Sequence, residues 1–263
     1  MENLIDQLVI NITSTKFVML ASLCFLSSVI DAMVGGGGLI SLPAYYAAGL
    51  DPHVALGTNK ISASLSTSVS ALKFWNAKKV NTEIIWKLAI FSLIGAFLGV
   101  KTAVSIDAMY FKPISFFLLI FVFIYTIINK KLGETSNYTG PNKKNMFLGK
   151  IMAFTIGFYD GFIGPGTGSF LIFFLMKIFK FDFNSANGNA KILNVSSNII
   201  SIFLFTYYGK VNFFLGIPIA LLMMIGGFLG ASLAIKKGTK ITKPLFLVVT
   251  SILILKMGKE IFF

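Results

Sequence analysis

Apolar stretches of span length recur along the chain between short polar connections, and they fall into four kinds that each occur twice. The first kind (17–50 and 147–181) is apolar but interrupted by glycines, in "DAMVGGGGLISLP" at 31–43 and "DGFIGPGTGSFLI" at 160–172. The second (52–74 and 183–207) carries many small polar residues; the third (84–105 and 213–235) and fourth (110–129 and 244–262) are continuous apolar runs. Roughly 20 apolar residues cross a hydrocarbon core of about 30 Å. The pattern therefore predicts an all-α, polytopic membrane protein. Pro113 and Pro244 stand near the start of the fourth kind, where a missing N–H costs least.

The two sets align on each other at an offset of 131 positions. Asp51 falls on Asp182, Gly57 on Gly188, Lys60 on Lys191, Asn81 on Asn212, Gly99 on Gly230 and Pro113 on Pro244. Upstream the offset becomes 129, and Asp31, Gly35 and Gly37 meet Asp160, Gly164 and Gly166. So many polar and glycine matches in register indicate a tandem duplication. The expected organisation is one integral membrane domain over 1–263, with repeat one at 1–130, a linker at 131–145 and repeat two at 146–263.

Composition supports the membrane reading: 56% of residues are hydrophobic and 13% charged, against about a quarter charged in soluble domains. The N-terminus has no basic region ahead of the first apolar stretch, so no cleaved signal peptide is expected. Net charge is +13 and every basic residue is lysine. These lysines sit in short loops between spans, which argues against nucleic acid as a partner and leaves the lipid bilayer. The single cysteine, Cys24, excludes an internal disulfide or a thiol relay, and the single histidine, His53, excludes a histidine metal cluster. No cofactor or metal is expected.

Lysine placement also orients the chain. The loop between the second and third segments of repeat one holds Lys73, Lys78, Lys79 and nearby Lys87, whereas its counterpart holds Lys210 alone. The next loop reverses the bias, with Lys101 and Lys112 against Lys236, Lys237, Lys240 and Lys243. With the linker (Lys130, Lys131, Lys143, Lys144) in the cytoplasm, the repeats are inverted copies and both termini lie outside. Inversion needs an odd number of crossings per repeat: about three full transmembrane helices plus a glycine-broken or re-entrant segment. The rival is eight full crossings with parallel halves.

A broken helix survives in a membrane only where protein or a water-filled cavity satisfies its backbone. Half-helix N-termini present free N–H groups and a positive dipole, suited to an anion near mid-bilayer. Gly36, Gly37 and Gly38, and Gly166, Thr167 and Gly168, supply two such starts. Close helix packing through small residues is the other reading of these glycines. Asp51 followed by Pro52 forms a helix N-terminus, as does Asp182, and Lys60 lies about 13 Å further along the axis. An ionisable residue at that depth is a functional candidate; Lys191 occupies the equivalent place. Thr58, Asn59, Asn189 and Asn194 lie beside the lysines as hydrogen-bonding candidates, although many nearby hydroxyls are expected to bond their own helix. Asp31 and Asp160 would support the glycine loops or carry coupling protons. The structural alternative is an ion pair within each half, Lys60 with Asp31 and Lys191 with Asp160.

These residues resemble the sulfite exporter TauE/SafE family of membrane permeases, through "GGGG…LP…AGLDPHVALGTNK" and "GFYDGFIGPGTGSFL…GNAKILNVSSN" over nearly the whole chain. The family often shows Gly-Thr-Ser where this chain has Gly57-Thr58-Asn59-Lys60. The resemblance implies passage of sulfite, organosulfonates or other small organic anions across the bacterial plasma membrane, and by analogy a homodimer. An anion permease working by alternating access is thus the leading expectation. An anion channel, an intramembrane enzyme and a membrane assembly factor are the alternatives; the lack of paired carboxylates on one helix face disfavours the enzyme.

Overall fold

A computed structural model describes residues 15–105 and 133–238, together with separate positions within 117–124 and 244–259. The fourth segment of each repeat and linker residues Lys130 and Lys131 fall largely or wholly outside the described residues. Among those described, eight long helices follow one another: α1 (Thr15–Val34), α2 (Gly38–Ala47), α3 (Pro52–Asn76), α4 (Thr82–Ala103), α5 (Lys143–Phe162), α6 (Thr167–Phe179), α7 (Phe183–Tyr207) and α8 (Phe213–Lys237). Four of them, α1, α4, α7 and α8, are long and apolar enough to cross a membrane.

Local chemistry sets the ends. The Asp51 carboxylate accepts from the His53 amide (3.0 Å) ahead of α3, with Pro52 at the first helical position. Asp182 accepts from the Ser185 amide (3.0 Å) ahead of α7. Asn81 and Asn212 cap α4 and α8 in the same way, accepting from Ile84 (3.3 Å) and Leu215 (3.0 Å). Each cap satisfies an amide that a helix start leaves unpaired. Between α1 and α2 the chain reverses through Gly35 (φ 76°) and Gly36 (φ 85°); between α5 and α6 it does so through Gly164 (φ 86°) and Gly166 (φ 89°). Those left-handed conformations are open to glycine at little cost.

Close approaches fix the helix directions. Gly95 and Gly99 of α4 abut Phe154 and Phe158 of α5, so these two helices run the same way. Gly226 and Gly230 of α8 abut Phe25 and Val29 of α1, again the same way, and Gly216 and Gly227 meet Thr58 and Ser66 of α3. By contrast, Gly57 of α3 meets Phe205 of α7 while Gly188 of α7 meets Phe74 of α3, so α3 and α7 are antiparallel. Helices α1, α3 and α8 therefore point one way and α4, α5 and α7 the other. Because α1 and α3 share a direction, α2 must run back between them. The Tyr45 hydroxyl of α2 is held to Ser62 of α3 (2.5 Å).

Polarity is distributed inside out relative to a soluble protein. Leu72, Trp86, Ile90, Phe203 and Leu221 are exposed, while Thr58, Asn59, Lys60, Asn187, Lys191 and Ser197 are buried. An apolar perimeter around a polar centre suits a lipid solvent.

Candidate functional site

The two glycine breaks touch. Gly35 packs against the Gly168–Ser169 backbone, and Gly38 packs against Pro165. The α1–α2 and α5–α6 hairpins thus meet tip to tip, with α3 and α7 alongside. Between them lies a cavity of about 40 Å³, lined by both hairpins, α3, α7 and Met223 of α8. At roughly 10–15 Å³ per water on this measure, it has room for a few waters.

Side chains rather than lipid satisfy the broken backbone. Asn187 of α7 donates to the carbonyls of Ala32 and Met33 (3.0 Å each), and Lys191 Nζ donates to the Asp31 carbonyl (2.5 Å). The Asp31 carboxylate accepts from the Gly37 amide (3.1 Å), and Ser27 Oγ donates to the Gly37 carbonyl (2.7 Å). In the second hairpin Tyr159 donates its hydroxyl to the Pro165 carbonyl (2.5 Å), and Thr167 Oγ1 to Gly164 (2.6 Å). The amides of Gly38 and Gly168, both on the cavity wall, find no acceptor among the described residues.

Both central lysines are ion-paired, and the partners are crossed. Lys60 Nζ lies 2.8 Å from Asp160 Oδ1, and Lys191 Nζ lies 2.7 Å from Asp31 Oδ2. This corrects the within-half pairing, Lys60 with Asp31 and Lys191 with Asp160: hairpin contact brings each aspartate against the α3 or α7 lysine of the other half. Asn198 Oδ1 accepts from Lys60 (3.1 Å), and Ser197 Oγ donates to Asp160 Oδ2 (2.6 Å). The pairs differ in access. Lys60, Asp31 and Asp160 line the cavity, whereas Lys191 lies behind its wall with 1% of its side chain exposed.

Of the other residues expected at the site, Gly37, Gly38, Asn59, Gly166, Thr167, Gly168 and Asn194 line the cavity. Gly36 does not; its carbonyl accepts from the Leu39 amide (3.1 Å) and opens α2. Thr58 and Asn189 also lie elsewhere. Thr58 Oγ1 accepts from the Asn212 amide (2.9 Å), and Asn189 Oδ1 accepts from the Asn81 amide (3.0 Å). These equivalent residues tie α3 and α7 to the start of α8 and α4 respectively. Sequence reasoning passed over Ser27, Ser41 and Met223 as wall residues and Asn187 as the support of α1. A readable signal existed for Ser27, which stands one helical turn before Asp31. Most remaining hydroxyls do bond their own helix, such as Ser70 to Ser66 (2.9 Å) and Ser201 to Ser197 (2.7 Å).

Comparison with known sequences matches this arrangement to a family. The profile described as "Sulfite exporter TauE/SafE" matches residues 20–257. The chain belongs to the sulfite exporter TauE/SafE family. It is similar to the "Probable membrane transporter protein" of Haemophilus influenzae, 33% identical over 233 residues that cover 89% of this chain and 91% of that one. It is also similar to the "Probable membrane transporter protein YfcA" of Escherichia coli K12, 32% identical over 245 residues, covering 90% and 89%. No solved structure matches it. TauE/SafE membership makes this a bacterial membrane transporter rather than an enzyme.

Proposed function

We propose that the protein moves a small sulfur-containing or organic anion, of the sulfite or organosulfonate class, by alternating access between two inverted repeats. The observation that carries this is the cavity between the hairpin tips, where Lys60 and the unpaired amides of Gly38 and Gly168 meet. Helix α6 begins at Thr167 with no side-chain cap, so its positive dipole end is left to a ligand. An entering anion accepts from those amides and competes with Asp160 for Lys60. Asn194, which lines the same cavity, adds a neutral donor.

Helix direction supports the inverted repeat. A two-fold that exchanges antiparallel α3 and α7 lies across the helices, hence in the membrane plane. That axis exchanges the contact of Gly57 with Phe205 for that of Gly188 with Phe74, and the bond of Thr58 to Asn212 for that of Asn189 to Asn81. With the 131–145 linker in the cytoplasm, α3 and α8 end inside, at Lys78, Lys79, Lys236 and Lys237, while α7 ends outside at Lys210 alone. That agrees with the positive-inside rule.

Counterflow of radiolabelled sulfite in proteoliposomes tests the reading. A carrier gives saturable exchange that unlabelled sulfite accelerates from the opposite side, and a panel of sulfonates, thiosulfate and small carboxylates then ranks the substrates. Flux that neither saturates nor shows exchange overturns alternating access, and no flux of any anion in the panel overturns the anion reading.

A further inference from the structure

Some of the cavity lining offers oxygen acceptors rather than N–H donors. Asn59 is 8% exposed, and its side-chain oxygen has no hydrogen-bond partner. A buried amide oxygen without a donor is costly unless something else occupies the position. Ser27, Asp31 and Ser41 line the same cavity. The hydroxyls of Ser27 and Ser41 both donate to the Gly37 carbonyl (2.7 and 3.5 Å), so what they leave for a ligand is oxygen lone pairs. Asp31, with 19% of its side chain exposed, accepts one bond at Oδ1 from Gly37 and one at Oδ2 from Lys191. A carboxylate has about four acceptor positions, so capacity remains.

A carboxylate, an amide oxygen and two hydroxyl oxygens make a hard-oxygen donor set of the kind that holds an alkali or alkaline-earth cation. We propose that these oxygens bind Na⁺ and that the ion travels with the anion. The inference rests on the anion reading. Two lysines and two aspartates balance the site, so an anion entering alone leaves an uncompensated negative charge in a low-dielectric interior. A monovalent cation beside Asp31 restores neutrality. A proton on the Asp31 carboxylate would balance the charge as well, but it leaves the Asn59 oxygen without a partner, which Na⁺ supplies.

The test is ²²Na⁺ binding to the purified full-length protein, read beside sulfite counterflow without ion gradients. Wild-type protein is expected to bind ²²Na⁺ saturably, displaced by unlabelled Na⁺ and not by choline. Asn59→Leu should weaken that binding at least tenfold while leaving the unfolding temperature close to wild type, and Asn59→Asp should retain it. An inward Na⁺ gradient should accelerate sulfite uptake in wild type and not in Asn59→Leu. Wild-type protein that exchanges sulfite but binds no ²²Na⁺, or that responds only to a proton gradient, overturns the Na⁺ site and leaves the anion reading standing. Absence of exchange of every anion in the panel alongside retained ²²Na⁺ binding overturns the anion reading instead.

Discussion

Lys60 of the first half reaches Asp160 of the second at 2.8 Å, with 4% and 3% of the two side chains exposed. Lys191 and Asp31 repeat the arrangement in reverse at 2.7 Å. Each helix break is therefore anchored to a helix of the opposite half, and any motion between the halves acts on these two pairs. Their unequal access to the cavity separates their roles.

Lys191, 1% exposed and outside the cavity lining, is expected to act as a structural cation rather than as the anion ligand its sequence position suggested. Lys191→Ala leaves Asp31 without its counter-ion and removes a donor to the Asp31 carbonyl. Breaking a buried pair costs about 3–5 kcal/mol. Thermal unfolding in detergent should show that loss, and the double variant Lys191→Met/Asp31→Asn should recover part of it.

Lys60 faces the cavity, so its replacement should act on transport even where the fold is kept. Lys60→Gln with Asp160→Asn removes both charges while retaining hydrogen-bonding groups. Sulfite counterflow should fall at least tenfold with little change in unfolding temperature. Retained counterflow would exclude Lys60 as an anion ligand.

The contact between the tips can be locked. A Cβ at Gly38 would lie 3.8 Å from Cβ of Pro165, close to the mean separation across a disulfide, and 3.2 Å from its Cα, so the backbone must give by a few tenths of an ångström for the bond to close. Gly38→Cys with Pro165→Cys should cross-link under oxidation. If the halves separate during the cycle, transport stops in the oxidised protein and returns on reduction.

Gly37 has no room for a methyl group. A Cβ there would lie 2.6 Å from Asp31 Cβ and 2.6 Å from the Ser27 carbonyl. Overpacking of this kind costs about 1–3 kcal/mol, and relief requires Asp31 to move. Gly37→Ala should lose flux out of proportion to its modest loss of stability, which parallel counterflow and melting measurements would reveal.

Thr58 and Asn189 bond main-chain amides away from the cavity. Thr58→Ala and Asn189→Ala should each cost about 1 kcal/mol of stability and leave the half-saturating sulfite concentration unchanged. A shift in that concentration would return them to the binding site.

Much of this was legible in the chain itself. Span-length apolar runs, the Asp51–Pro52 and Asp182 helix starts and the glycine breaks follow from interactions a few residues long: hydropathy, capping and left-handed backbone conformations. Those local preferences act before any tertiary contact exists. The lysines, the aspartates and their repeated spacing were visible for the same reason.

Only the folded arrangement decided which groups meet. Both halves carry one lysine and one aspartate at matching positions, so the same spacing permits pairing within a half or between halves. Contact of the two hairpin tips selects the crossed pairs. It also places Lys60 on the cavity wall and Lys191 behind it, and turns Thr58 and Asn189 toward the starts of α8 and α4. Charge and hydrogen-bonding capacity belong to each residue's chemistry, but partner and exposure depend on what a distant part of the chain places beside it.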